Sequence, residues 1–215
     1  DQVINQAAKI RYMSGGQVTV PMVIRTPIGA GRSSAAQHSQ SMQALVAHFP
    51  GFKVAMPSSA QEAKGLLKTA IRDNNPVLVL EHKMEYNKKF MIDDEVEPIP
   101  FGKANILIKG TDITIAATSA LVLRSQEAAE ILQKEGISVE VIDLRTIVPL
   151  DKETIIESVK KTGKLIVADD VFYYLDAPIG RVSTPNVPLP FSPALEFPII
   201  PSRDKIIEKV REMLK

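Results

Sequence analysis

The chain has no cysteine and no tryptophan, and only three histidines in 215 residues. Without cysteine there is no disulfide, no thiolate nucleophile and no zinc–thiolate site. Aromatic residues make up 5% of the chain, too few for a platform that stacks nucleic-acid bases. Charge of one sign is also lacking. Lys and Arg number 26 against 25 Asp and Glu, for a net charge of +1, which gives no electrostatic case for a polyanionic partner. No apolar run is long enough to span a bilayer. Residues 1–20 lack the basic start, apolar core and small-residue cleavage site of a signal peptide. The lack of cysteine is compatible with a cytosol. What remains is 45% hydrophobic, enough to bury the core of one large domain or two smaller ones.

Strand and helix patterns alternate. Residues 1–13 carry Val3, Ile4, Ala7, Ala8 and Ile10 at helical spacing, stopped by Ser14-Gly15-Gly16. Val18–Arg25 follows as a strand, made irregular by Pro21. Residues 40–48 suggest a short helix and Lys53–Met56 a strand. Ser58 or Ser59 caps a helix with Glu62 in its first turn, which ends near Asp73-Asn74-Asn75-Pro76. Val77–Leu80 is apolar throughout, as a strand buried on both faces must be.

Residues 84–104, with Lys88-Lys89 and Asp93-Asp94-Glu95, break the pattern and suggest a linker or an edge strand. A second unit then runs strand Ile113–Thr118, helix Leu121–Lys134, strand Val139–Asp143, helix 151–161, strand Leu165–Ala168, strand Ile179–Val182 and helix 203–214. The fold class is α/β, with two domains whose mainly parallel sheets are flanked by helices. The division is 1–83, a linker over 84–104, and 105–215. Pro185–Pro201 holds six prolines and must wrap a surface or fill an interface.

Residues 28–41 hold the most chemistry. The loop Ile28-Gly-Ala-Gly-Arg-Ser-Ser-Ala-Ala-Gln-His-Ser-Gln-Ser41 has no periodicity of its own and follows an apolar run. His38, among Gln37, Ser39, Gln40 and Ser41, either caps the next helix or meets a ligand. Gly29-Ala30-Gly31 lacks the lysine and spacing of a phosphate-binding loop, and Arg32 is either an anion contact or a solvated charge. The Asp73 turn either simply terminates its helix or presents free carbonyls to a cation at the negative end of the helix dipole. His48 and His82 have ordinary settings at a helix end and a strand end, and Asp169-Asp170 closes a strand.

Ordered blocks bring a resemblance. Asp1-Gln-Val-Ile-Asn-Gln-Ala-Ala-Lys9, Arg11-Tyr-Met-Ser-Gly-Gly16, Ala36-Gln-His-Ser-Gln-Ser41, Pro50-Gly-Phe-Lys-Val54, Ala63-Lys-Gly-Leu-Leu67 and Ile71-Arg-Asp-Asn-Asn-Pro76 stand in sequence. Val139-Glu-Val-Ile-Asp-Leu-Arg-Thr-Ile-Val-Pro-Leu-Asp151 and Phe191-Ser-Pro-Ala-Leu-Glu196 follow. The whole resembles the β subunit of the thiamine-diphosphate-dependent decarboxylase component of 2-oxo acid dehydrogenase complexes, which acts on pyruvate, branched-chain acids or acetoin.

The resemblance implies the later part of a pyrimidine-binding domain, then a transketolase-like C-terminal domain. It implies an α subunit in an α2β2 heterotetramer, thiamine diphosphate with Mg2+ at the α/β interface, and transfer of the acyl group to a lipoyl-bearing acyltransferase component. His38 takes the place of the active-site histidine near the reactive carbon. A structural K+ would be held mainly by carbonyls of Val20, Met22, Val23 and Ala70 with Asp73 and Asn75, stiffening the floor beneath the His38 loop.

The location would be cytoplasmic, or the mitochondrial matrix in a eukaryote. The family's activating glutamate and stacking aromatic precede the match to Asp1. Set against the family, the sequence lacks a glycine-bearing turn and most of a helix between Asp170 and Val171. The alternatives are an acetoin dehydrogenase β subunit, a single-chain transketolase relative, and a non-catalytic assembly subunit.

Overall fold

β3 (Val77–His82) is buried at every position and forms the centre of a first sheet. The computed structural model describes residues 1–169, 180–185 and 189–214. β1 (Val23–Ile28) and β2 (Lys53–Ala55) flank β3, both parallel to it; Val23 and Lys53 each pair with Val77. Alternation along β3 divides its side chains between two layers. Val77 and Val79 meet Ala70 and Leu67 of the helix α3 (Ala60–Ile71). Leu78 and Leu80 join Ile28, Phe52, Val54 and Met56, with Val46 from α2 (Gln43–His48) and Ala8. Ser59 caps α3 by accepting the Glu62 N–H at 3.2 Å.

A second sheet has the order β4-β6-β5-β8-β9. Its strands are β4 (Asn105–Ile108), β5 (Ile113–Ala117), β6 (Val139–Asp143), β8 (Leu165–Ala168) and β9 (Gly180–Val182). Only β4 is antiparallel to its neighbour. Helices α4 (Ala120–Gln133) and α7 (Arg203–Leu214) cover one face. α5 (Lys152–Thr162) covers the other, where Thr114 shares hydroxyl hydrogen bonds with Ser158 and Thr162.

Several local expectations shift. The N-terminal helix divides into wide turns over Gln2–Ala7 and a single turn α1 (Ile10–Met13), as Ala8 packs tightly on Gly51. β1 opens at Val23 rather than Val18. Pro21 cannot donate to a ladder, and Met22 N–H turns back on the Val20 carbonyl. Residues 86–104 form no strand. They lie along α3 instead, where the Ile99 N–H donates to the Gly65 carbonyl and Lys68 donates to that of Val96. β7 (Thr146–Val148), expected in no element, leaves the second sheet and pairs antiparallel with β2 of the first. The expected break at Asp170–Val171 lies outside the described residues.

Candidate functional site

Hydrogen bonds bring the carboxyl edges of the two sheets together. Ser58, just past β2, donates to Asp143 at the end of β6 at 2.5 Å. Ser119, past β5, donates to the Pro57 carbonyl at 3.2 Å. Asp169, past β8, accepts from Thr118 at 2.9 Å and from Gln43 at 2.8 Å. Crevices at the carboxyl ends of parallel strands are where α/β proteins place their ligands.

The loop between β1 and α2 stands at this edge. His38 closes one tight turn (Ala36–His38) and its side chain is exposed. It caps no helix: Met42 holds the N-cap position of α2, with no side-chain bond. An exposed imidazole at a crevice can pass a proton to a bound molecule. Behind it, Ser39 Oγ and Gln43 Oε1 are buried and have no partner among the described residues.

The backbone around His38 is contorted. Gly29 and Gly31 have φ of +91° and +102°, and Ser33 and Ala35 reach +50° and +63°. Gly29 is required for space as well, since a Cβ there would lie 2.1 Å from His82 Nε2. Buried His82 is thus the loop's underlay, and its Nδ1 accepts the Met84 N–H at 3.3 Å. The glycines do not cradle a phosphate. The Gly31 N–H is given to the chain's own Glu196, at 3.0 Å. Arg32 is exposed.

The carboxylates of the first unit at this edge already hold partners within the chain, although Glu62 Oε2 and Glu85 Oε2 are buried without one among the described residues. Glu62 is bound to Arg145 at 2.7 Å. Glu81 takes a two-pronged contact from Arg25 at 2.7 and 3.0 Å, and a third bond from Tyr86 at 2.9 Å. Its hydrogen bond and charge hold the Arg25 guanidinium above its ordinary pKa. Burial, then the Glu81 bond, raises the Tyr86 phenol. Among the described residues, no group of three or more His, Asp or Glu side chains is arranged for a metal ion.

Of the expected cation ligands, Val20, Met22, Ala70, Asp73 and Asn75 take part in hydrogen bonds around the turn at the other end of β1. Asp73 Oδ1 accepts from the backbone and side chain of Asn75, at 2.9 and 2.7 Å. The Ala70 carbonyl accepts the Asp73 N–H, that of Met22 accepts from Val77, and that of Asn74 from Val20. Lys53 already pairs with Asp73 Oδ2. Burial works against the Asp73 charge, but the Lys53 and Asn75 hydrogen bonds outweigh it and hold the carboxyl below its ordinary range. Val23 opens β1 and Ile28 closes it, about 17 Å apart at the usual rise per residue. The turn therefore braces the strand's far end rather than the floor of the loop.

Comparison with known proteins gives this arrangement a lineage. Residues 2–89 match the transketolase pyrimidine-binding domain and residues 102–172 the transketolase C-terminal domain. The pyruvate dehydrogenase E1 component β subunit of Rickettsia felis is 47% identical, over 99% of this chain and 71% of its own. The chain belongs to this β-subunit family. The β subunit of acetoin:2,6-dichlorophenolindophenol oxidoreductase from Cupriavidus necator is 45% identical, over 100% of the chain and 69% of its own. Among solved structures, a split-gene transketolase described as an inactive β4 tetramer superposes with a TM-score of 0.82 at 20% identity, covering 99% of this chain and 71% of that one. Transketolase from Pichia stipitis gives 0.66 at 15%, over 96% and 32%. At those identities the structures show a shared fold alone.

Two supports of the His38 loop escaped the sequence reading. His82 had no distinguishing context. Glu196 lay in a block quoted for the resemblance but without a role.

Proposed function

We propose that the chain serves as the β subunit of a decarboxylating 2-oxo acid dehydrogenase component, working with an α subunit in an α2β2 heterotetramer. The observation that carries the reading is exposed His38, on a contorted loop at the carboxyl edge, in a member of this β-subunit family. When bound at the α/β interface, with its Mg2+ on the α subunit, thiamine diphosphate supplies the electron sink for loss of carbon dioxide from the 2-oxo acid. Glu62 and Glu81 each already hold an arginine, and the contribution of this chain that the reading rests on is His38 and its frame. The imidazole orients the lipoyl group of an acyltransferase component and moves a proton during its acylation.

Exposed Phe191, Leu195 and Phe197 in the proline-rich segment support a role in subunit contacts. A K+ at the Asp73 turn belongs to the same reading, with Lys53 as its competitor for the carboxylate. No helix among the described residues is long and apolar enough to cross a membrane. A bovine relative, 45% identical, carries a mitochondrial designation, which supports the matrix for a eukaryotic source and the cytoplasm otherwise.

The test is His38→Asn in the full-length chain, co-expressed with its α subunit. Acylation of a lipoyl domain should fall at least about a hundredfold, the scale of acid–base assistance, with smaller loss of decarboxylation to an artificial electron acceptor. Unchanged lipoyl acylation would refute the assignment. The 45% identity to an acetoin-active relative supports a second substrate, and turnover of pyruvate, a branched-chain acid and acetoin in parallel decides between them.

A further inference from the structure

Glu196 ends α6 (Pro193–Glu196) and is fully buried. Its carboxylate lies against a loop more than 160 residues earlier in the chain. Oε1 accepts the Gly31 N–H at 3.0 Å, and Oε2 accepts the Ser33 N–H at 2.8 Å and its hydroxyl at 3.0 Å. Gly31 and Ser33 both have positive φ, and such turns aim successive N–H groups at one point, forming a concavity suited to an anion. The anion here is the chain's own. Bonds to a charged acceptor are the strong ones, and a buried carboxylate accepting several of them is positioned by all of them together.

Besides His82 beneath Gly29 and the bond from the Gly29 N–H to the Gln40 carbonyl, the loop has little else to set its shape. None of residues 31–42 belongs to a hydrophobic core cluster among the described residues. Left-handed φ at Ser33 and Ala35 is strained for side chains with a Cβ, and persists only where surrounding contacts impose it. Lys83 senses the same carboxylate. Burial, then Arg32, lowers its amine, and Glu196 opposes both.

We propose that Glu196 is a positioning residue: its carboxylate fills the concavity of the 29–38 loop, and so the second unit of the chain sets where the His38 imidazole stands at the crevice. The inference rests on the role given to His38 for its catalytic consequence, but not for the clamp itself.

The experiment compares Glu196→Gln, Glu196→Asp and Ser33→Ala in the full-length chain with its α subunit. Amide hydrogen exchange across residues 29–41 is read beside kcat, KM and melting temperature. In Glu196→Gln an N–H donor is turned toward N–H donors. Loop exchange should quicken at least tenfold and kcat should fall tenfold to a hundredfold, with KM for the 2-oxo acid within about threefold. The melting temperature should move by only a few degrees. Glu196→Asp, which keeps the charge on a shorter arm, should recover part of the loss. Unchanged exchange over 29–41 in Glu196→Gln overturns the proposal. So does unchanged exchange in Ser33→Ala, the milder change that serves if the glutamine variant does not fold. Faster exchange with unchanged turnover upholds the clamp and overturns instead the role given to His38.

Discussion

Replacing Asp143 with asparagine should make the chain's stability less sensitive to pH, and the size of the effect follows from the site. Asp143 closes β6 with no exposed surface. Burial raises its pKa most, and the Glu62 carboxylate adds to this. Hydrogen bonds from Ser58 and the Arg145 N–H, and the Arg145 charge, pull the other way. The balance leaves it at about 6, against 3.8 for a free side chain. A folded-state pKa above the unfolded one means that the folded chain binds the proton more tightly. That stabilisation is fully present below about pH 3.8 and is lost as pH rises through about 6.

At about 1.4 kcal/mol per pKa unit, the whole window is worth about 3 kcal/mol, of which about 2.5 falls between pH 4 and 7.5. The carboxamide of the Asp143→Asn variant would keep the bond from the Arg145 N–H and could donate to Ser58 Oγ, but it cannot titrate. Denaturant midpoints of both proteins measured from pH 4 to 8 should therefore show the variant gaining about 2.5 kcal/mol on the parent across that range. Two parallel curves would refute the argument, because they would mean that Asp143 does not change its proton affinity on folding.

Gly29→Ala combines a φ of +91° with a Cβ 2.1 Å from His82 Nε2. It should cost about 1–3 kcal/mol in unfolding titrations and reduce turnover at least tenfold by displacing the His38 loop; pairing it with His82→Ala should recover part of both. Lys53→Met leaves the Asp73 carboxylate without its ammonium. In choline chloride it should lose about 1–2 kcal/mol of stability, and KCl should restore much of that if the turn takes a monovalent cation. An equal loss in both salts would remove K+ from the reading.

The parts legible in the sequence are those whose signal is local. Val77–Leu80 is a short all-apolar run after the Asn74-Asn75-Pro76 turn, which reads as a strand buried on both faces. Ser59 with Glu62 is a start signal that the Ser59 bond to the Glu62 N–H realises. Gly136, with φ of +80°, stops α4 as its lack of a Cβ allows. The parts that were not legible depend on distant partners. Thr146–Val148 is three residues before a proline, too short for any periodicity, and becomes a strand only because β2 offers an edge. Residues 96–99 look like linker because they carry no pattern, yet their backbone is bonded along α3. Glu196 sits in a proline-rich run whose composition speaks only of irregular chain. Pro193 begins a single helical turn, where its missing N–H costs nothing, and that turn delivers the carboxylate to the loop.

Ile147 and Val148 pack on the core of the first sheet, but the contacts named between the carboxyl edges of the two sheets are hydrogen bonds, and this bears on how the site works. Apolar surfaces can slide with small loss, whereas a buried polar group that loses its partner is left with its full desolvation cost. Ser58 with Asp143, Gln43 and Thr118 with Asp169, and Glu196 with Gly31 and Ser33 are each satisfied in one relative placement of the units. A rotation that broke one would strain the others. The His38 loop draws its shape from one of those bonds. Its geometry is therefore tied to the docked state, so a change that loosens the second unit acts on the frame around His38 without touching His38 itself.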